Sequence, residues 1–173
     1  DNILNTPPQN VSLMREYFQL AAEELNTSIG LTPKPYISIF YMLELTGKSG
    51  EHDFADQLLH QANEILPNNS TARVRRAWYM APRWGGSYEE MDWLIALTKG
   101  QQAPFNVVLR LEALKYDDMG AALVNQGDFP QAMQYFERAL WFGNAAATTF
   151  SENYLLNAQY YVCRTVGDIP ICQ

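Results

Sequence analysis

The chain has 173 residues, 47% hydrophobic, 13% aromatic and 18% charged, which is enough for one domain with a real core or at most two very small ones. The aromatic share and modest charge exclude a disordered chain, and no apolar run approaches the roughly 20 residues that span a bilayer. Twelve basic against nineteen acidic residues leave a net charge of −7, which repels nucleic acid and anionic membranes, and two His and two Cys are little material for a metal centre. The composition favours a compact binding domain, without cofactor, over an enzyme.

Taken in chain order, the apolar residues recur with helical spacing, and no segment has a strand period. Val11, Met14, Phe18, Ala21, Ala22 and Leu25 predict a first helix ending near Asn26, before the breakers Gly30, Pro33 and Pro35. A second is expected from about Pro35 to Leu45, with Ile37, Phe40, Tyr41 and Glu44 spaced as one apolar face with a polar edge, and stopped by Gly47 and Gly50. A third, from about Asp53, carries Ala55, Leu58, Leu59, Ala62, Ile65 and Leu66 and ends at Pro67. A fourth, from about Ser70, carries Val74, Ala77, Trp78 and Ala81, and Pro82 with Gly85–Gly86 breaks it. Ser87 is placed to cap a fifth helix with Met91, Leu94, Ile95 and Thr98 on one side. The sixth spans roughly Pro104 to Asn125, the seventh Phe129 to Phe142 and the eighth about Ala146 to Val166.

Short turns make these helices antiparallel neighbours, and pairs recurring along a chain suggest a helical repeat. The best unit, residues 113–144, has Tyr116, Met119 and Gly120 on one helix, the turn Gln126-Gly127-Asp128-Phe129, then Ala132, Phe136, Ala139 and Leu140. It resembles the tetratricopeptide repeat. In that family small residues sit where two helices cross, which implies a close approach of Gly120 and Ala132, with Ala139 meeting the next helix. Asn144 stands where the family usually has a closing Pro. Ala55, Leu59, Ala62 and Pro67 make a partial copy within residues 51–69, and residues 70–99 a degenerate pair with Met91 at a small-residue position. The block Pro82-Arg83-Trp84-Gly85-Gly86-Ser87 also resembles one in uncharacterised bacterial proteins of helical-repeat architecture. The resemblance covers roughly residues 51–144, and with the helical spacing elsewhere the expectation is one all-α domain over residues 1–173: about eight helices stacked as antiparallel pairs (a short α-solenoid), closed by a capping helix and tail over 145–173. Its concave face would bind a peptide or protein.

Asp1 is not a start Met, and the first ten residues carry no signal-peptide pattern. Cys163 and Cys172 are the only cysteines, and the breakers Gly167 and Pro170 let the tail fold back. A bond between them would stabilise by about 2–3 kcal/mol and imply an oxidising compartment such as a periplasm; two unpaired thiols would fit a cytoplasmic protein.

Asp56, His60 and Glu64 share a face of the third helix at metal-ligand spacing, but opposite the apolar stripe, where a solvated charge face is expected. His52 fits an ordinary helix-entry cluster between Glu51 and Asp53. There is no phosphate loop, nucleophile elbow, HExxH or CxxC motif.

Two surfaces are candidates for a partner. Arg73, Arg75, Arg76 and Arg83 crowd into eleven positions of an acidic chain and are followed by Trp84, the residue types of interface hot spots. The competing assignment pairs these arginines with Glu89, Glu90 and Asp92 and packs Trp84 into the turn. The second surface is the row of first helices of the pairs, with Asp117, Ala121, Val124 and Asn125, then Asn153, Asn157 and Tyr161, suited to gripping an extended backbone. The expected function is non-catalytic protein binding, in its concrete form a bacterial immunity protein that neutralises a secreted toxin one to one. An inter-helix pocket lined by Tyr79, Trp84 and Trp93 would instead serve a small molecule or an enzyme, and a structural subunit of an envelope assembly is a third possibility.

Overall fold

The computed structural model describes residues 7–148 and 152–166, and the chain divides into two compact units, Asp1–Pro67 and Asn68–Gln173. The fold is all-α: eight helices and one 3-10 turn, with no strand among the described residues.

The first unit contains α1 (Pro8–Leu31), α2 (Tyr36–Ser49) and α3 (His52–Ile65), with α1 packed on α2 and α2 on α3. Helix α1 runs past the expected stop at Asn26. A glycine near a helix end costs only about 1 kcal/mol, so Gly30 is absorbed, and the true stop is Pro33, which leaves Thr32 extended at φ −112° and ψ 126°. Likewise α2 continues through a buried Gly47 and closes at Gly50, whose φ of +79° lets its N–H reach the Thr46 carbonyl. The face α2 buries is Ile39, Met42, Leu43 and Thr46, set by its contacts with α1 and α3, so the expected Ile37 and Tyr41 are exposed. On α3 the predicted Ala55, Leu58, Leu59 and Ala62 are buried, while Leu66 lies past the helix and is exposed.

The second unit contains α4 (Thr71–Met80), a 3-10 turn (Pro82–Trp84), α5 (Tyr88–Gly100), α6 (Phe105–Gln126), α7 (Phe129–Ala145) and α8 (Glu152–Val166). Each helix packs on its successor, and α4 with α6 and α6 with α8 also touch. The side chains give the directions. Phe129 stacks on Tyr161 and Phe136 on Tyr154, so α7 and α8 are antiparallel. Arg110 meets Ser70 while Asp118 meets Arg83, so α4 and α6 run parallel. Antiparallel successive helices with alternate helices side by side are the order that stacked pairs require.

The α6–α7 hairpin turns at Gly127, φ +82°, and Asp128 caps α7 by accepting from the Gln131 N–H at 3.2 Å. Gly120 is a close-approach residue, but its neighbour is a ring: a Cβ there would lie 2.5 Å from Phe136. Ala132 and Phe136 are instead buried together with Ala158 of α8. Without a closing Pro, α7 continues through Asn144 to Ala145, and α8 begins at Glu152 rather than near Ala146. Cys163 is half-buried on α8, while Cys172, and with it the expected bond, lies outside the described residues. Among the described residues no helix is long and apolar enough to cross a membrane.

Candidate functional site

Local chemistry in the Pro-Arg-Trp-Gly-Gly-Ser block forces a tight return between α4 and α5. Pro82 fixes the first φ of the 3-10 turn, and Gly85 takes φ +91°, which disfavours any side chain. At Gly86 a Cβ would lie 2.2 Å from the Met80 carbonyl oxygen, so the backbones touch there. Ser87 and Glu90 then form a reciprocal capping box: the Glu90 N–H donates to Ser87 Oγ at 3.1 Å and the Ser87 N–H to Glu90 Oε2 at 2.8 Å.

This turn delivers Arg83 and Tyr88 to α6. Arg83 Nη1 lies 3.1 Å from Asp118 Oδ1, and its guanidinium sits 4.2 Å over the Trp78 ring. Tyr88 donates its hydroxyl to Asp118 Oδ2 at 3.1 Å. The Tyr88 phenol is held well above its usual pKa of 10, first by burial and then by the charge and hydrogen bond of Asp118. Asp118, although buried, is therefore satisfied from two sides. Next to it, Lys115 bonds to Asp92 and lies 3.6 Å from Glu112. Burial alone would lower the Lys115 pKa, but Asp92 and Glu112 outweigh it and raise the value.

The predicted arginine cluster separates. Arg73 and Arg76 are each only 1% exposed and so cannot form the expected partner surface. Arg73 donates from Nη1 to Gln101 Oε1 at 2.7 Å and to Thr98 Oγ1 at 3.3 Å, and burial lowers its pKa. Nor are Glu90 and Asp92 the partners of Arg83: the capping box holds the first and Lys115 the second. Trp84 stays 41% exposed with one edge on buried Tyr79, at 5.6 Å. Tyr79, expected with Trp84 and Trp93 to line a pocket, is buried, whereas Trp84 and Trp93 are exposed. Asp117 is half-buried, and Asn125 and Asn157 are exposed. Tyr161 is spent in part on its stack with Phe129, at 4.6 Å.

A cleft lies between α4 and α6. Thr71, Val74, Arg75 and Trp78 form a stripe along α4 at steps of three and four, facing Arg110 and Leu114 of α6, and enclose about 380 Å³. Arg110 donates from Nη1 to Ser70 Oγ at 3.2 Å, while its Nε is buried with no acceptor. Sequence reading passed over Arg110. Its signal was a lone charge inside the apolar run Val107-Val108-Leu109-Arg110-Leu111. In the first unit, His60 and Glu64 form an exposed pair at 3.3 Å, and among the described residues no three His, Cys, Asp or Glu side chains are placed to hold a metal. No family model, no curated protein and no solved structure matches this chain.

Proposed function

We propose that this chain is a non-catalytic protein-binding module of tetratricopeptide-like helix pairs, and that its second unit presents the binding surface along α4 and α6. The observation that carries the reading is the α4–α6 cleft, whose Val74, Trp78 and Leu114 walls lie beside Arg75 and Arg110. A mixture of apolar wall, indole and guanidinium is the composition of a protein-recognition hot spot. The narrower form is a one-to-one inhibitor or immunity protein for a secreted toxin, which the net charge of −7 favours by attraction to a basic partner.

The test is affinity capture by the full chain and by Val74→Glu, which places a bulky charge in the cleft at a half-buried position. The expected result is one protein retained at 1:1 stoichiometry by the parent and lost by the variant, with equal melting temperatures. If both retain the same proteins, or neither retains one at that stoichiometry, the reading fails.

A further inference from the structure

We infer that the α4–α6 cleft takes a carboxylate: an acidic side chain on an extended segment of a partner protein, with the neighbouring apolar side chain laid against Trp78. The inference rests on the protein-binding reading and names the chemistry of its ligand.

Arg110 carries the argument. A guanidinium has five N–H donors in a planar fork and never gives up its charge. Here one arm donates to the neutral Ser70 hydroxyl at 3.2 Å, and Nε is buried with nothing to accept from it. Among the described residues no carboxylate is paired with Arg110, whereas Arg83 has Asp118, and Lys99 and Lys115 have Glu112. Nε is out of reach of a ligand, as is the Nε of Arg73, also buried without an acceptor, so the donors offered to the cleft are the Nη groups, which no carboxylate of the described residues meets. The group that best matches the fork is a carboxylate, which can take two parallel bonds.

The surroundings select among anions. Arg75 also lines the cleft, and Asp118 is paired with Arg83. That geometry suits one carboxylate rather than a run of phosphates, which the net charge of −7 would also repel. Val74, Trp78 and Leu114 supply apolar wall, and about 380 Å³ holds side chains of a segment but not a folded surface.

The test uses the full chain and a dye-labelled peptide of alternating Glu and Leu, with a Gln–Leu twin of the same shape, read by fluorescence anisotropy. The Glu–Leu peptide is expected to bind at least about tenfold tighter than its twin. Arg110→Gln should abolish that preference, Arg110→Lys should keep part of it, and Leu156→Ala on exposed α8 should leave it intact, all with parental melting curves. The inference is overturned if the two peptides bind alike, if neither binds, if Arg110→Gln keeps the preference, or if an oligo-dT strand is preferred to both. Should Arg110→Gln fail to fold, Arg110→Lys decides: an undiminished preference rejects the fork. A stoichiometric partner lost on Val74→Glu, without any preference for the Glu–Leu peptide, would reject the carboxylate and leave the protein-binding reading standing.

Discussion

The two sides of α4 have opposite fates although they alternate along ten residues. One side carries Ala72, Arg73, Arg76, Ala77 and Met80, all buried. The other carries Thr71, Val74, Arg75 and Trp78, which line the cleft. Three arginines within four positions look like one basic patch when read along the chain. At 100° per residue they fall on different sides, and two of them belong to the interior. A charge cluster on a helix is a statement about surface only after its phase against the apolar residues is known. Here Ala72, Ala77 and Met80 set that phase, and Arg73 and Arg76 share it.

The largest expected effect breaks this comparison directly. Arg73→Glu removes the bonds to Gln101 and Thr98 and buries a carboxylate without a partner, which should cost about 3–5 kcal/mol. Arg75→Glu, on the cleft side, should stay within about 1 kcal/mol. Urea unfolding of both variants checks the contrast, and equal midpoints would mean that the two sides of α4 are not distinct.

Next comes the turn that sets Arg83 on Trp78. Gly86→Ala drives a Cβ into the Met80 carbonyl, backbone against backbone, and should cost about 2 kcal/mol or more. Gly85→Ala needs only a positive φ and should cost about 1 kcal/mol. Thermal melting that ranked them the other way would show that the chains do not touch at Gly86.

Alkaline pH sharpens the same side. The Tyr88 pKa is raised above 10.0, so the un-ionised phenol belongs to the folded state. Its contribution is fully present below pH 10.0 and is lost as pH rises toward the folded value. Lys115 is also raised, from 10.5, and its contribution is lost above that pH. Stability should therefore fall in alkali. Tyr88→Phe should cost about 1 kcal/mol at neutral pH and make the alkaline fall shallower. Denaturant midpoints at pH 8 and above pH 10 measure this, and an unchanged slope would remove Tyr88 from the effect.

The smallest effect is Arg110→Gln on stability. It forfeits one bond to Ser70 but also removes a buried donor with no acceptor, so the midpoint should move by less than about 1 kcal/mol. A large loss would make Arg110 a structural residue rather than one held for a ligand.

Much of the fold was legible because its signals are local. Ser87 was readable as a cap from the residues alone, and the structure adds Glu90, three positions on, as the other half of a capping box. The turn at Gly127-Asp128 and the stripe on α3 were readable in the same way. The extra turn of α1 beyond Asn26 was not, because a weak local cost at Gly30 competes with continued helix propagation until Pro33. The close approach at Gly120 was legible as a small residue at a crossing. That its neighbour is the Phe136 ring was not, since this depends on the register between two helices.

By itself, then, the sequence determined the number of helices, the breakers between them, the Ser87 cap and the apolar stripe of α3, because those follow from spacing and neighbours within a few positions. Tertiary structure alone decided which charges are interior and where a cleft opens. Arg73 reaches Thr98 and Gln101 across some 25 residues, Arg83 reaches Asp118, and Arg110 reaches back to Ser70. The local pattern around each arginine is compatible with burial or exposure. Which one occurs is settled by the acceptors that neighbouring helices bring to it, since a buried guanidinium is tolerated only where such acceptors meet it.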